Sequence, residues 1–205
     1  MYCHCEEGGT VQSPPNAAIS VDTRNYSTEG IIISRKNIGE TDRLLTVFSK
    51  HYGKLRVVAK GVRRTISRKR GAIEIFSYCK FLIARGKNLD ILTDVEIKSA
   101  YENWRSDLVR VGVAYHLCEV VNKLTAEHQE HKEVLYSLQE CLESLSALDY
   151  WQLYPLVQNF KLEVLEELGF ISKNKPVPTD VDSYIEDLIG TSLKTLKFLK
   201  VLSKK

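Results

Sequence analysis

The stretch from Arg43 to Gly61, "RLLTVFSKHYGKLRVVAKG", is the part of the chain that decides the fold. Two runs rich in Leu and Val, "RLLTVFSK" and "KLRVVAKG", lie on either side of the short turn "HYG". Apolar and β-branched runs separated by a Gly-containing turn are typical of neighbouring strands. The stretch therefore predicts two strands joined by a turn, and the residues around it indicate which sheet those strands join.

Strand signals continue on both sides of this stretch. The run "GIIISRK" precedes it, and "IFSYCKFLIA" and "LDILTDVEI" follow it on either side of "RGKN". These runs make five strands between residues 28 and 100, which is the number found in a small Greek-key barrel of the OB type. We therefore predict a five-stranded OB-like β-barrel for residues 28–100.

Helical patterns replace the strand patterns after Ser99. Ser99 and Glu102 have the spacing of a capping box, and apolar residues then recur every three or four positions. A second helix and a third, from about Asp149 to Leu168, follow, and Pro155 is expected to kink the third helix or to mark its first turn. We predict an α+β fold in which the barrel is followed by a C-terminal α-helical bundle, residues 101–205.

The first 27 residues are interpreted as a flexible leader because they are rich in Gly, Ser, Pro and Asn. Cys3, His4 and Cys5 are the one cluster of metal-ligand types there, but ligands of structural zinc sites are usually spaced further apart and need a second pair. The other cysteines fall among apolar residues and are interpreted as reduced core thiols. They are Cys79, Cys118 and Cys141.

Apolar runs in this chain are short. None approaches the roughly 18 residues that a membrane-spanning helix requires, and the N-terminus lacks the basic start and apolar core of a secretory signal. We therefore expect no membrane association and a cytoplasmic location.

Charge divides the chain into two unlike parts. Residues 27–100 contain sixteen basic and seven acidic residues, whereas residues 101–171 contain five basic and twelve acidic residues. Within the first part, the segment Lys50–Gly71 carries nine Lys or Arg residues and no acid. Surfaces that only confer solubility normally mix both signs. The asymmetry predicts a basic module that binds nucleic acid and an acidic module that does not.

Arginine suits phosphate because its planar guanidinium donates two parallel hydrogen bonds, and each neutralised phosphate releases counterions. Outward aromatic residues beside lysine can also stack on unpaired bases, which points to Tyr78 next to Lys80. For Tyr78 this interpretation and packing in the core both stay open, whereas Phe76 is better explained by packing beneath the helical region. The predicted nucleic-acid-binding residues are Arg35, Lys50, Lys54, Arg56, Lys60, Arg63, Arg64, Arg68, Lys69, Arg70, Tyr78 and Lys80.

Catalytic motifs are not found in the sequence. It has no phosphate loop, no dinucleotide-binding G-x-G-x-x-G after a strand, no nucleophile elbow and no H-E-x-x-H. Glu40 and Asp42 lie close together in "IGETDR", where carboxylates more often form turns or pair with Arg than act as acid and base. We therefore expect no enzymatic activity and no cofactor.

Several motifs of the chain together resemble a known family. The segment "TEGIIISRKNIGETDRLLTVFSKHYGKLRVVAKGVRR", residues 28–64, followed by "SRKRG", resembles the N-terminal OB-fold domain of the RecO family of bacterial recombination mediators. The resemblance depends on the combination of G-E-x-D-R-L, a turn with Gly-Lys, and V-A-K-G-x-R-R. More loosely, "LEELGF" and "SYIEDLIGTSLKTLKFL" resemble the helical remainder of that family.

This resemblance implies a DNA repair and recombination protein that binds single- and double-stranded DNA and anneals complementary strands. It implies RecR and the acidic, Phe-ended tail of single-strand-binding protein (SSB) as partners, and a functional link to RecA through its loading onto SSB-coated DNA. Many members carry a four-cysteine zinc motif after the Leu-Gly-Phe position, whereas "ISKNKPVPTD" contains no cysteine. We therefore expect the zinc module to be absent. The cations available to the SSB tail in the acidic helical part include Arg105, Arg110, Lys123 and Lys132.

Two other functions stay open from the residues alone. An RNA-binding or translation-associated OB protein would show the same barrel and basic loop. A nuclease could use Glu40 and Asp42 around a divalent metal ion, and incubation with Mg²⁺ or Mn²⁺ and labelled DNA would reveal it by cleavage.

Overall fold

A computed structural model describes residues 24–64, 69, 71–172 and 178–196 of the chain. Five strands form a closed barrel in the order β1-β2-β3-β5-β4, in which only the β3–β5 pair is parallel. This confirms the predicted five-stranded OB-like barrel. The strands are β1 (Asn25–Ile38), β2 (Asp42–Ser49), β3 (Gly53–Ala59), β4 (Tyr78–Ala84) and β5 (Asp90–Ser99).

Strand β1 is buried on both of its faces. Ile32 points into the barrel interior, whereas Ile31 and Ile33 join the core that lies between the barrel and the helices. A strand covered on both faces is apolar at consecutive positions, which explains the run "GIIIS". The strand also begins at Asn25, so residues 25–27, which the sequence analysis assigned to the leader, belong to the barrel. Residues 1–23 of that leader, and with them Cys3, His4 and Cys5, lie outside the described residues.

Within the described residues, four α-helices follow the barrel, as predicted for the C-terminal part of the chain. They are α1 (Leu108–Leu124), α2 (Lys132–Ser144), α3 (Tyr150–Glu167) and α4 (Val181–Ile189). Helices α1, α2 and α3 bury one continuous apolar core against each other and against β1. Within the described residues no helix is both long and apolar enough to cross a membrane.

The start of the first helix differs from the prediction. Ser99 ends β5, and Tyr101 adopts a left-handed conformation with φ 50°, so the proposed capping box with Glu102 is wrong. The cap of α1 is Asp107, whose carboxylate accepts hydrogen bonds from the backbone N–H groups of Val109 and Arg110. Asp is a common capping residue, so the cap itself is typical. A single 3-10 turn, Glu102–Trp104, lies between β5 and α1, and the cap is therefore eight residues later than Ser99.

Pro155 lies inside α3 rather than in its first turn. The helix begins instead at a capping box in which Asp149 and Gln152 satisfy each other's backbone N–H groups. All three cysteines of the described residues are buried and free, as predicted. Burial raises the pKa of the Cys79 and Cys141 thiols to about 12, so both stay protonated at neutral pH.

Candidate nucleic-acid interface

The basic segment Lys50–Gly71 divides into two parts that face different surroundings. Its first part, which we call the helix-facing cations, comprises Lys50, Lys54 and Arg56, and all three contact the acidic helical region. Its second part, residues 60–71, is the basic loop. Of this loop, residues 60–64, 69 and 71 lie within the described residues.

Lys54 is buried at the contact between the barrel and α1. Only 9% of the residue is exposed, and its ammonium donates hydrogen bonds of 2.6 Å to the backbone oxygens of Asn122 and Thr125. These oxygens lie at the end of α1, where carbonyls lack helical partners and the helix dipole is negative. Burial lowers the pKa of Lys54, and the charge of Glu127 acts in the opposite direction. Lys54 therefore caps a helix, and its prediction as a phosphate contact is corrected.

The segment after α1 packs tightly against the start of β3. The backbone N–H of His128 donates to the Lys54 oxygen at 3.1 Å. Gly53 has φ 61°, and a Cβ atom at this position would lie 1.8 Å from the backbone oxygen of Gln129. A side chain at this position is excluded both by backbone conformation and by space. The glycine of the "HYG" turn thus permits the barrel and the helical region to approach each other closely.

The other two helix-facing cations also have partners in the helical region. Arg56 is half exposed and its Nε lies 2.8 Å from Oε1 of Glu127. Lys50 places its ammonium 5.7 Å from the centre of the Tyr136 ring on α2, a cation–π distance. Both side chains keep some access to solvent, but neither belongs to the exposed basic loop.

The basic loop is held against the turn between β1 and β2. The backbone N–H of Arg63 donates to the Thr41 oxygen at 2.9 Å, and its guanidinium donates to the Gly39 oxygen at 3.1 Å. The backbone N–H of Arg64 donates to the Gly61 oxygen at 3.2 Å. Three cations of the loop, Lys60, Arg63 and Arg64, are exposed on this ordered support.

Asp42 connects the turn to the loop. Its Oδ1 accepts hydrogen bonds from the backbone N–H of Gly61, at 2.7 Å, and from the Thr41 hydroxyl, at 2.9 Å. The hydrogen bond from Gly61 is the main reason that the pKa of Asp42 is lowered, and the nearby charges of Lys60 and Arg64 act in the same direction. The prediction that Asp42 forms a turn is in keeping with this geometry.

Two further predicted cations, Lys69 and Arg35, also have partners within the chain. The Lys69 ammonium donates to the backbone oxygen of Thr93 on β5. Arg35 is half-buried and its guanidinium lies 2.5 Å from Glu74, which is also 3.8 Å from Arg43. Glu74 therefore lies within ion-pair distance of two arginines. Arg68 and Arg70 lie outside the described residues, so they stay predictions.

The predicted stacking surface on β4 is not formed as expected. Phe76 precedes the strand, is 3% exposed and packs against Trp104 and Tyr115, which confirms its assignment beneath the helical region. Tyr78 packs against the same core, and its hydroxyl donates to Glu29 at 2.9 Å. Burial, followed by this hydrogen bond, raises the pKa of Tyr78 to about 12. Its ring is therefore engaged within the chain rather than presented to bases.

Lys80 is exposed, but it is separated from the basic loop. In the sheet register Lys80 lies opposite Glu29 on β1 and opposite Glu96 on β5. Directly opposed residues on neighbouring strands point to the same side of a sheet. Two carboxylates therefore flank Lys80, and the local charge is not positive.

Comparison with known proteins agrees with this two-part architecture. Residues 23–101 match the family model "Recombination protein O N terminal", and residues 105–172 match "Recombination protein O C terminal". The chain belongs to the RecO family. The N-terminal match ends two residues after β5, and the C-terminal match covers α1, α2 and α3.

Relatives in this family have the same name. A protein of Roseiflexus sp. (strain RS-1), named DNA repair protein RecO, is 38% identical over 147 residues, which are 72% of this chain and 51% of that protein. A protein of the same name from Thermoanaerobacter sp. (strain X514) is 35% identical over 150 residues, which are 72% of this chain and 59% of that protein. The chain thus spans between half and three fifths of the length of these relatives.

The four cations named above as available to an SSB tail in the acidic helical part all have partners within the chain. The Arg105 guanidinium donates to the Ala100 oxygen and to Ser77, and Arg110 pairs with Asp107. Lys132 pairs with Glu130, and the Lys123 ammonium lies 3.5 Å from the Thr191 hydroxyl. Lys123 and Lys132 are therefore the more available of the four, because their partners are exposed.

Sequence reasoning missed two residues of the candidate interface. Lys36 is exposed on β1 close to the turn, and its position beside Arg35 in "SRKN" could have indicated it. Glu74, the partner of Arg35 and Arg43, is the second, and an acid between the basic loop and an apolar strand could have indicated a partner for arginine. No cluster of three or more His, Cys, Asp or Glu suited to a metal ion occurs in the part of the chain that the structure describes.

Proposed function

We propose that this chain acts in DNA repair and homologous recombination, by binding single- and double-stranded DNA without catalysis of its own. The observation that carries the proposal is the exposed set Lys60, Arg63 and Arg64, held by the β1–β2 turn. An ordered surface with an excess of positive charge fits phosphates of any sequence. Membership of the RecO family, whose relatives are named for DNA repair, favours DNA as the polyanion.

The binding surface that we propose extends from the turn to the basic loop. It comprises the described residues Lys36, Lys60, Arg63, Arg64 and Lys69, with Arg35 at its edge and Arg68 and Arg70 expected to extend it. Lys54 is left out because it is buried, and Lys80 because it lies between two carboxylates. Tyr78 is left out because its hydroxyl is bound to Glu29.

Strand annealing follows physically from such a surface. Two complementary strands repel each other until their phosphates are neutralised, and a positive surface that contacts phosphates alone leaves bases free to pair. The acidic helical region repels DNA and so confines it to the barrel. We propose annealing of complementary strands as the activity of this surface. Its biological setting would be the loading of RecA, with RecR, onto SSB-coated DNA in the bacterial cytoplasm.

The helical region suits protein partners better than DNA. Leu108 is 84% exposed, Trp151 73% and Tyr150 54%, and the Tyr150 hydroxyl donates to Asp107 at the start of α1. The N-terminal ends of α1 and α3 thus meet in an exposed apolar area on an acidic surface. Exposed aromatic residues are enriched where proteins contact each other. This supports a protein partner for the helical region, and the RecO resemblance favours RecR. The acidic tail of SSB, which the resemblance also implies, would have to contact cations of this region such as Lys123 and Lys132.

Binding and annealing of labelled oligonucleotides test the proposal. We expect the affinity to fall as salt is raised, with a log–log slope proportional to the number of phosphate contacts, and to be alike for unrelated sequences. Annealing should be measured with and without SSB. A protein that binds no DNA at low salt, or that binds without accelerating annealing, contradicts the proposal.

An RNA-binding function is the second candidate, because the same loop would contact the phosphates of RNA. Comparing matched DNA and RNA strands distinguishes the two. Tighter binding of RNA, with no annealing of DNA, would favour the second candidate.

A further inference from the structure

Two acidic residues lie at the β1–β2 turn, inside the most basic surface of the barrel: Glu40 within the turn and Asp42 as the first residue of β2. Glu40 is exposed, and its carboxylate makes no hydrogen bond within the described residues. Asp42 is partly buried and accepts hydrogen bonds from the Gly61 N–H and the Thr41 hydroxyl. Simple electrostatics treats both acids alike, since each should weaken phosphate binding at this surface. Their contacts, however, are different.

Asp42 holds the point at which the basic loop leaves β3. Gly61 adopts φ 64°, which turns the chain back toward the β1–β2 turn and directs its N–H at Asp42. Two residues further on, Arg63 donates hydrogen bonds to the backbone oxygens of Thr41 and Gly39, and the Arg64 N–H then donates back to the Gly61 oxygen. The Asp42–Gly61 hydrogen bond is therefore the first of a connected set that orders Lys60, Arg63 and Arg64.

Ordering the loop before binding affects affinity directly. Each long cationic side chain and its backbone must be immobilised when it binds a phosphate, and this loss of conformational freedom weakens binding. A loop that is already fixed loses less freedom. The benefit is shared by three cations, whereas the repulsion from one screened carboxylate at a surface is small.

We propose that Asp42 is a positioning residue of the nucleic-acid interface, which increases affinity for DNA by holding Gly61 although its charge opposes the phosphates. This inference rests on the proposed function of the basic loop. It predicts that two carboxylates on one turn have opposite effects: Glu40 weakens binding, and Asp42 strengthens it.

Three variants separate position from charge. Asp42→Ala removes the acceptor and the charge, Asp42→Asn removes the charge but keeps an oxygen that can accept from Gly61, and Glu40→Ala removes a charge from the same turn without a hydrogen bond. Affinity for a single-stranded oligonucleotide should be measured by fluorescence anisotropy at several salt concentrations. Urea unfolding of each variant checks that the barrel is folded.

We expect Asp42→Ala to weaken binding about fivefold and to flatten the salt slope, because fewer cations reach phosphates at once. Asp42→Asn should bind as well as the unaltered protein or better, and Glu40→Ala should bind slightly better. Recovery by Asn distinguishes positioning of the loop from any role of the charge itself. Urea unfolding of Asp42→Ala distinguishes positioning from a general loss of stability, because the inference expects weaker binding by a variant that is still folded.

Failure of the inference can be told apart from failure of the proposed function. If the unaltered protein binds DNA with a negative salt slope, but Asp42→Ala binds equally well or better, the inference is wrong and the proposed function stands. An Asp42→Asn variant as weak as Asp42→Ala would also overturn the inference. If the unaltered protein binds no DNA, the proposed function fails first.

Discussion

The two parts of the basic segment show how differently adjacent cations of one sequence can be used. Lys50, Lys54 and Arg56 contact the helical region through a ring, two carbonyls and a carboxylate. A few residues later, Lys60, Arg63 and Arg64 are exposed. The cations of the first part contact the acidic helical region across its boundary with the barrel. Only the cations of the second part are free to contact a polyanion. Local charge density alone therefore overestimates the binding surface.

The largest expected effect is a loss of unfolding free energy when Lys54 is replaced. Replacing Lys54 by Met should keep the volume but leave the Asn122 and Thr125 oxygens without their charged donor, at a cost of about 3 kcal/mol. Urea unfolding measures the loss. Lys60→Met is the matched control, with a change below about 0.5 kcal/mol expected for an exposed site. If the two variants were equally stable, Lys54 would not act as a helix cap.

Substitutions in the basic loop should have the opposite effect to Lys54→Met: they should weaken DNA binding and leave the free energy of unfolding almost unchanged. Replacing Lys60, Arg63 and Arg64 together by Ala should reduce the slope of log affinity against log salt by about 0.7 for each lost single-strand contact. Annealing should fall at least as steeply as binding. The altered protein should unfold within about 0.5 kcal/mol per site of the original. An unchanged salt slope in a folded triple variant would show that the loop does not contact phosphates.

Tyr78 tests whether an aromatic residue outside both parts contributes to binding. Tyr78→Phe keeps the ring but removes the hydrogen bond to Glu29, which should cost about 1 kcal/mol of stability. Affinity for single strands should stay the same, because the ring packs against the helical core. Because Phe can stack on bases as well as Tyr, stacking itself is tested by Tyr78→Ala, whose folded fraction should keep the affinity although the substitution opens that core. A loss of about 1–3 kcal/mol in binding by folded Tyr78→Ala would restore Tyr78 as a stacking residue.

The smallest effects are expected for Arg56 and Lys80. Arg56→Ala breaks an exposed ion pair with Glu127, and such pairs contribute about 0–1 kcal/mol. Lys80→Ala removes a cation that lies between Glu29 and Glu96. Both variants should keep the salt slope of the unaltered protein. A slope reduced by about 0.7 in either variant would extend the interface beyond the basic loop.

The barrel could be predicted from the sequence because strand alternation and turn residues are local signals. The double burial of β1 was visible in the consecutive isoleucines, although its meaning depends on helices that lie far along the chain. The role of Lys54 was not predictable, since it depends on carbonyls about seventy residues away. Whether Tyr78 stacks on bases or packs in the core could not be decided from the sequence for the same reason. Period-two alternation separates the two faces of a strand but does not show what covers each face.

The burial of Lys54 also determines the chemical reactivity of the lysines. Acylating reagents, and enzymes that acetylate lysine, require an amine that they can reach, which the exposed Lys60 offers and the buried Lys54 does not. Acetylation removes the positive charge. Modification of the folded protein would therefore remove the charge of Lys60 from the basic loop, while the loop arginines stay charged and the contact between barrel and helices stays intact. In a mass-spectrometric labelling map, Lys54 would become modified only after the helical region separates from the barrel.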